Sequence, residues 1–253
     1  MTHVTSNELA RRFRPHLVRE VVAKHTVADV VVATLKASGV QRVYGLPGDS
    51  INGFTDALRR DGEVVWEHVR HEEAAAFAAA GEAAVTGQLA VCAASCGPGN
   101  LHLINGLFDA NRCRVPVLAI ASHIPRVEIG GSYFQETHPQ ELFRECSVYC
   151  ELVSVPEQLP RVLEIAIRHA LQRGGVAVVV VPGEVFLAQA PHDGRAATIR
   201  PSGNVVRPGD DALAAAADLL NAAASSCRTC CQAMSPSRRI ASVKPFSESP
   251  GIP

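Results

Sequence analysis

The chain has 253 residues, 47% of them hydrophobic, and a formal net charge of −1. This length allows one large domain, or one ordinary domain with tails, and enough apolar side chains for a real core. The balanced charge gives no electrostatic reason to expect a nucleic acid or an anionic membrane as partner. The apolar runs, such as residues 176–182, are far shorter than the roughly 20 residues of a membrane span.

Strand-like and helix-like segments alternate from Thr26 onward. Apolar residues at helical spacing predict a first helix that starts after Thr26, a good N-cap, and ends at Gly39. The predicted strands cover residues 42–46, 64–69, 89–93, 115–121, 148–153 and 176–181. Further helices are predicted for residues 51–60, 71–85, 97–110 and 159–171, and an irregular stretch for residues 122–145.

Several of the predicted strands are continuous apolar runs rather than alternating ones. Strands covered by helices on both faces have this pattern, because neither side of the sheet meets water. The sequence therefore predicts a doubly wound α/β domain over residues 26–190, with a mostly parallel sheet and helices on both faces. Residues 1–25 are expected to form an N-terminal extension.

The C-terminal quarter has a different character. Residues 191–209 are polar and contain Pro and Gly, which predicts a linker. Residues 210–224 predict one more helix, rich in Ala and Leu, as the first helix of a central domain that is otherwise missing. Residues 225–253 lack a sustained hydrophobic period, so a disordered tail is expected. A helix that opens a second domain and then runs into such sequence suggests a truncated or frame-shifted gene product.

The cysteines suggest a reducing environment rather than a disulfide scaffold. Eight cysteines in a chain of this length do not make a small disulfide scaffold, and the arginine-rich N-terminus lacks the apolar segment of a secretory signal. Five of them have apolar or strand-like surroundings, in which a free thiol behaves as a small hydrophobe: Cys92, Cys96, Cys113, Cys146 and Cys150. We therefore expect a cytoplasmic protein with buried thiols. Three more cysteines, Cys227, Cys230 and Cys231, lie together, but in a segment without a predicted fold, so no metal site is predicted there.

Three polar or glycine-rich segments follow predicted strands. They are Tyr44-Gly45-Leu46-Pro47-Gly48-Asp49-Ser50, Arg70-His71-Glu72-Glu73 and Ser95-Cys96-Gly97-Pro98-Gly99-Asn100. Ligands of open α/β sheets bind at the carboxyl ends of strands, so these segments are well placed for a site. Taken singly, each glycine segment is more often a tight turn, and the charged segment a helix start that suits the helix dipole. Neither glycine turn matches a dinucleotide or phosphate-binding loop, which an unrelated nucleotide-binding protein would need.

Together with Tyr133-Phe134-Gln135-Glu136, these segments occur in an order and spacing that resembles a known family. It is the family of thiamine-diphosphate enzymes that includes pyruvate oxidase, pyruvate:quinone dehydrogenase and acetolactate synthase. The resemblance covers residues 26–190, the part of the family that binds the aminopyrimidine ring of the cofactor. The stretches at residues 100–109 and 135–146 look most like the pyruvate:quinone dehydrogenase branch.

The resemblance implies roles for individual residues. Glu72 matches the glutamate that hydrogen-bonds the pyrimidine ring and activates the cofactor. The residues that match the walls of the cofactor pocket are Pro47, Gly48, Gly97, Pro98, Gly99 and Asn100. The residues that match positions near the substrate and the thiazolium ring are Asp49, Ser50, Phe134 and Gln135.

The resemblance also implies what the parent enzyme does and what this chain lacks. The parent would decarboxylate pyruvate oxidatively, with Mg²⁺ and FAD, as a homo-oligomer or with a complementing subunit. The family holds Mg²⁺ and the diphosphate with a Gly-Asp-Gly motif, which these 253 residues do not contain. We therefore expect weak cofactor binding and no turnover by this chain alone. Two alternatives remain, namely a fragment of an acetolactate synthase-like carboligase and a non-catalytic domain that binds family partners.

Overall fold

A computed structural model describes residues 25–191 and 207–234, with side chains to residue 223. The predicted N-terminal extension and most of the predicted linker lie outside the described residues. The chain divides into two compact units, residues 1–202 and 203–253. Each unit is described by itself.

The first unit is built on a six-stranded sheet in which every strand pairing is parallel. The strands are β1 (Arg42–Gly45), β2 (Val65–His68), β3 (Ala90–Ala94), β4 (Val117–His123), β5 (Tyr149–Leu152) and β6 (Val176–Pro182). Their order across the sheet is β2-β1-β3-β4-β6-β5. The last strand, β6, therefore lies between β4 and β5.

Seven helices connect or flank these strands. They are α1 (Val27–Ala37), α2 (Asn52–Asp61), α3 (Glu72–Thr86), α4 (Pro98–Arg112), α5 (Pro139–Leu142), α6 (Leu159–His169) and α7 (Gly183–Leu187). Helix α1 begins as predicted at Thr26, whose hydroxyl accepts a hydrogen bond from the Asp29 amide. The Asp29 carboxylate in turn accepts one from the Thr26 amide, which completes a capping box.

The sheet separates two apolar cores, which confirms the doubly wound α/β fold. Alternate residues of β4 point to opposite faces: Leu118 and Ile120 join the core formed with α1, α2, α6 and α7. Their neighbours Val117 and Ala119 join the core formed with α3 and α4. All seven residues of β4 are buried, because helices cover both faces of the sheet.

Helices α3 and α4 approach each other unusually closely at Gly106. A β-carbon built on Gly106 would lie 2.5 Å from the β-carbon of Ala76 and 2.7 Å from the backbone nitrogen of Phe77. The buried face of α3 consists of alanines there, namely Ala75, Ala76, Ala79, Ala80 and Ala83. Small side chains on both helices therefore let their backbones come together. This contact fixes the relative position of the two helix starts, which face the carboxyl edge of the sheet.

The structure differs from the predictions in several places. The stretch expected to be irregular contains the short helix α5 and a 3₁₀ turn at residues 126–128. The second predicted strand is the edge strand β2, and Val65 is 51% exposed. Cys113, expected to be buried, is exposed at the end of α4, whereas Cys92, Cys96 and Cys146 are buried.

In the second unit, helix α8 (Asp210–Met234) is the described element. It continues beyond residue 224, where the sequence predicted that it would end. Residues 225–234, which were predicted to belong to the tail of residues 225–253, therefore lie in this helix. Residues 235–253 lie outside the described part of the chain. Across both described stretches, no helix has the combination of length and apolar character that a bilayer crossing requires.

Candidate functional site

The segments that follow β1, β2, β3 and β4 meet at the carboxyl edge of the sheet. Strands β1 and β3 are neighbours, and Gly45 pairs with His68 on one side and Ala93 on the other. The chain leaves β1 toward β2 and leaves β3 toward β4, so the order of strands reverses between β1 and β3. A crevice at such a reversal is the usual ligand position in open α/β sheets.

Glu72 is the buried acid of this edge. It is the first residue of α3, and it is 7% exposed. Its Oε2 lies 3.0 Å from Nδ1 of His102 on α4. A β-carbon built on Gly99 would lie 3.2 Å from its Oε1, so the glycine leaves room beside this oxygen. The neighbouring Glu73 turns outward, where its carboxylate accepts a hydrogen bond of 2.8 Å from Asn105 Nδ2.

The turn after β1 is tied to the turn after β3 by two serines. The hydroxyl oxygens of Ser50 and Ser95 lie 2.9 Å apart. Ser50 Oγ also accepts a hydrogen bond of 2.9 Å from the Cys96 amide. A β-carbon on Gly48 would lie 2.6 Å from Ser95 Oγ. A glycine is therefore required where these two turns pass each other.

Gln135, in the long segment after β4, closes over the turn after β3. Gly97 has φ 64°, a left-handed conformation that favours glycine. A β-carbon built there would lie 3.0 Å from the backbone oxygen of Gln135. The thiol of Cys96 donates a hydrogen bond of 3.3 Å to Gln135 Oε1. This contact holds the thiol against an amide oxygen, and no adjacent base prepares Cys96 as a nucleophile among the described residues.

Asn100 lies beneath the site. Its Nδ2 donates a hydrogen bond of 2.8 Å to the Ser122 carbonyl oxygen at the end of β4. Its Oδ1 is buried and has no hydrogen-bond partner within the described ranges. A buried acceptor without a partner is uncommon in a native protein and is typically satisfied by water or a ligand.

The predicted site residues thus fall into two groups. Seven of them gather around the turns described above: Gly48, Ser50, Glu72, Gly97, Gly99, Asn100 and Gln135. Pro98 is the exposed first residue of α4. Phe134 is 83% exposed, and Asp49 is exposed in a 3₁₀ turn. Pro47 lines a separate pocket of 380 Å³ with Leu58, Trp66 and His68.

Sequence reasoning did not assign three residues that complete the site, namely Ser95, His102 and Ser122. Ser95 lies within a quoted motif, and His102 follows Gly99 by three residues. This spacing places His102 on the same face of α4 as Gly99, which was the available signal. No feature of the sequence pointed to Ser122, because its role depends on where β4 lies in the sheet.

The geometry around Glu72 fits an aminopyrimidine ring. Of the hydrogen bonds made by the described residues, Glu72 uses Oε2 only, so Oε1 is available to a ligand. The glycines at positions 48, 97 and 99 keep the turns free of side chains, since a β-carbon there would come within 2.6, 3.0 and 3.2 Å of its neighbours. Among the side chains that the structure describes, in residues 25–191 and 207–223, the one cluster of three close enough to share a metal ion is His71, Glu72 and His102. Two imidazoles and one carboxylate suit a transition metal better than Mg²⁺, which prefers oxygen ligands.

Comparison with known proteins identifies the family of the domain that contains these turns. Residues 25–142 match the family described as "Thiamine pyrophosphate enzyme, N-terminal TPP binding domain". Thiamine pyrophosphate is another name for thiamine diphosphate. The match includes Glu72, His102 and all predicted site residues, from Pro47 to Gln135.

Three relatives indicate the range of this similarity. An "Uncharacterized 42.6 kDa protein in isoamylase 3'region" of Pseudomonas amyloderamosa is 63% identical over 203 residues, which are 79% of this chain and 51% of that protein. A pyruvate oxidase of Lactiplantibacillus plantarum is 40% identical over 162 residues, 64% of this chain and 27% of the oxidase. The large subunit of acetolactate synthase isozyme 2 of Escherichia coli is 41% identical over 162 residues, 64% of this chain and 29% of the subunit.

The chain spans about half the length of the first of these relatives and under a third of the other two. The shared part is their N-terminal region, and in this chain it contains the parallel sheet and the glycine turns described above. From the fold, the turns around Glu72 and the family match together, the chain belongs through residues 25–142 to the thiamine pyrophosphate enzymes, as their N-terminal TPP-binding domain.

Proposed function

We propose that residues 25–191 bind the aminopyrimidine half of thiamine diphosphate and that Glu72 is the catalytic residue of this half-site. The single observation that carries the proposal is the buried Glu72 carboxylate with Oε1 unengaged beside Gly99. A carboxylate in this position can hydrogen-bond a ring nitrogen that the crevice admits. The pocket walls would be Gly48, Gly97, Gly99 and Asn100, with Pro47 and Pro98 at its rim.

The residues of the chain would orient the cofactor and manage one proton. Thiamine diphosphate, when bound, supplies a nucleophilic carbon and an electron sink for decarboxylation of 2-oxo acids. Glu72 Oε1 would share a proton with the ring nitrogen, while His102 Nδ1 holds the other oxygen in place. Asp49, Ser50, Phe134 and Gln135 would lie toward the reacting end of the cofactor and the substrate.

For the whole enzyme, we propose oxidative decarboxylation of pyruvate. The similarity to a protein named pyruvate oxidase supports this substrate and reaction. The resemblance in residues 135–146 also favours the oxidase branch. Mg²⁺ and FAD, which the oxidase branch would need, are expected to bind to parts of the enzyme other than residues 25–191. A second subunit, identical or complementary, would complete the active site.

An acetolactate synthase-like carboligase is the second candidate. The relative with that name is as similar to this chain as the pyruvate oxidase, at 41% against 40% identity. Identity over the N-terminal domain therefore does not separate the two reactions. A non-catalytic domain that binds family partners would keep the same fold and the same cores.

Titration of the purified chain with thiamine diphosphate and Mg²⁺ tests the half-site. Glu72→Gln keeps the size of the side chain and removes its proton-sharing carboxylate. We expect it to weaken binding by about tenfold or more, the effect of losing one charge-assisted hydrogen bond. Glu73→Gln is the matched control, because Glu73 is the adjacent residue and points outward. Equal binding by both variants would contradict the role of Glu72.

Product analysis tests the reaction. The chain is incubated with pyruvate, thiamine diphosphate, Mg²⁺, FAD and an artificial electron acceptor. Reduction of the acceptor would support the oxidase, and acetolactate without such reduction would support the carboligase. Cofactor binding with neither product, the result expected for this chain alone, supports a half-site that needs a second subunit.

A further inference from the structure

Two histidines accompany Glu72 at the mouth of the crevice. His71 precedes α3, and His102 lies one turn into α4. Their rings stack with centroids 4.3 Å apart and planes inclined by 28°. Each of the three side chains offers one ligand atom, and all three atoms lie within 4.8 Å of one another. The stack therefore directs two imidazole edges and one carboxylate toward the same small volume.

The distances are close to those of a coordinated metal ion. In a tetrahedral zinc site with metal–ligand bonds of about 2.0–2.2 Å, neighbouring ligand atoms lie about 3.4 Å apart. The atoms His102 Nδ1 and Glu72 Oε2 are 3.0 Å apart, close to one edge of such a site, and the proton of their present hydrogen bond would be released to solvent as the ion binds. Since all three ligand atoms lie within 4.8 Å of one another, His71 has to approach by at most about 1.4 Å to reach this spacing. Its side chain is 50% exposed, and its ring already stacks on that of His102.

His71 would give up one hydrogen bond, at the start of α3, in this movement. Its Nδ1 accepts a hydrogen bond of 3.3 Å from the Glu73 amide, at the long end of the range. This bond lies at the surface, where water can replace it. Because neutral imidazole nitrogen is the form that binds metals, an acceptor nitrogen already has the required lone pair.

The electrostatics of Glu72 favour a cation. Within the described residues, His102 is the only basic side chain that pairs with this buried carboxylate, and no Lys or Arg does. A buried charge is expensive unless it is paired or coordinates a metal. Two histidines and one glutamate, with a fourth position open to solvent, form a ligand set found in zinc proteins.

We propose that His71, Glu72 and His102 form a binding site for a divalent transition-metal ion, with Zn²⁺ as the best fit. The ion would bind Oε2 and draw charge from the carboxylate whose Oε1 the aminopyrimidine needs, so each ligand weakens the binding of the other, which is the sense in which metal and cofactor exclude each other. The exclusion rests on the proposed function, whereas the metal site does not. A site of this kind would make cofactor loading sensitive to free zinc.

The experiment is a calorimetric titration of the full chain with Zn²⁺ in the absence of cofactor. Cys227, Cys230 and Cys231 are first replaced by Ser, since thiolates also bind zinc. We expect one ion per chain, with loss of about 100-fold or more in affinity on His102→Ala or His71→Ala. Changes to groups that only hydrogen-bond a metal ligand already cost about 10–100-fold in metal affinity. His138→Ala is the matched control, an exposed histidine outside the cluster, and its affinity should stay within about twofold of the parent, as for surface changes.

A second titration, with thiamine diphosphate and Mg²⁺ in saturating Zn²⁺, tests the exclusion. Zinc should weaken cofactor binding, and the cofactor should weaken zinc binding by the same factor. Equal zinc affinity in His102→Ala and His138→Ala, with unchanged circular dichroism, would overturn the site. Independent binding of zinc and cofactor would overturn the exclusion. A chain that binds zinc through the cluster but never binds the cofactor would refute the proposed function and leave the metal site standing.

Discussion

The packing of α3 and α4 predicts that replacing two of their glycines by alanine changes stability in opposite directions. Gly81 lies within α3, and a β-carbon built there meets nothing within 4 Å. Gly106 lies within α4, and its β-carbon would collide with the backbone of Phe77 and Ala76 at 2.7 and 2.8 Å. Alanine has the better helix propensity at both positions. The space available therefore decides the sign of each change.

The magnitudes follow from the two contributions. Gly81→Ala should stabilise the protein by about 0.5–1 kcal/mol, the intrinsic advantage of alanine in a helix interior. Gly106→Ala gains the same amount but overpacks a helix contact, which costs about 1–3 kcal/mol and more when backbone atoms are struck. We expect a net loss of about 1–2 kcal/mol. A protein of this size changes its Tm by about 2–4 °C for each kcal/mol.

Urea unfolding followed by circular dichroism measures both free energies of unfolding. Since α3 carries Glu72 and α4 carries His102, Gly106→Ala should also weaken thiamine diphosphate binding, whereas Gly81→Ala should not. If the two variants shift stability in the same direction by similar amounts, the packing of α3 on α4 is not as described. A stable Gly106→Ala variant with normal cofactor binding would refute the reasoning.

Three more predictions concern stability and reactivity. Thr26→Ala should cost about 1 kcal/mol in urea unfolding. Burial raises the pKa of Asp29, but the hydrogen bonds from Thr26 and Arg60 and the charge of Arg60 together hold this pKa below its ordinary 3.8. The contribution of Asp29 to stability is therefore present above that pH and lost as pH falls through its folded value. Burial lowers the pKa of His123 below its ordinary 6.5, so the unfolded state binds a proton that the native state does not, and stability should fall below pH 6.5 in the parent but less so in His123→Gln. Burial raises the pKa of Cys92 to about 12, so a thiol reagent should label the exposed Cys113 in the folded protein and Cys92 only after unfolding; early labelling of Cys92 would contradict its burial.

The central strands could be predicted from the sequence, because burial on both faces of the sheet requires continuous runs of apolar residues. Residues 176–181 are almost all valine, and β6 covers residues 176–182. Helix α3 was predicted for residues 71–85 and covers residues 72–86, since the change from a strand to an alanine-rich helix is abrupt. Exposure at sheet edges was not predictable, because it depends on the order of strands. Val65 in β2 is exposed for this reason.

The candidate site was only partly predictable. Glu72 was identified through motifs that precede and follow it along the chain. His102 was missed because, on α4 alone, it is one polar residue near a helix start. Its place in the site follows from the 3.0 Å distance between His102 Nδ1 and Glu72 Oε2. These residues are 30 positions apart in the sequence, and local periodicity carries no information about such a distance.

The position of β6 between β4 and β5 has a consequence for synthesis on the ribosome. Strand β4, apolar along most of its length, can pair with β3 as soon as it emerges, but its other edge stays open until β6 follows. At about 5–20 residues per second, the roughly 60 residues that separate the ends of these strands take about 3–12 s to make. Strand β5 appears within that interval with no partner of its own in the described sheet except the strand still to come. During those seconds, nascent chains expose the unpaired edge of an apolar strand to one another. Slower translation after residue 123 should therefore increase aggregation of the newly made protein.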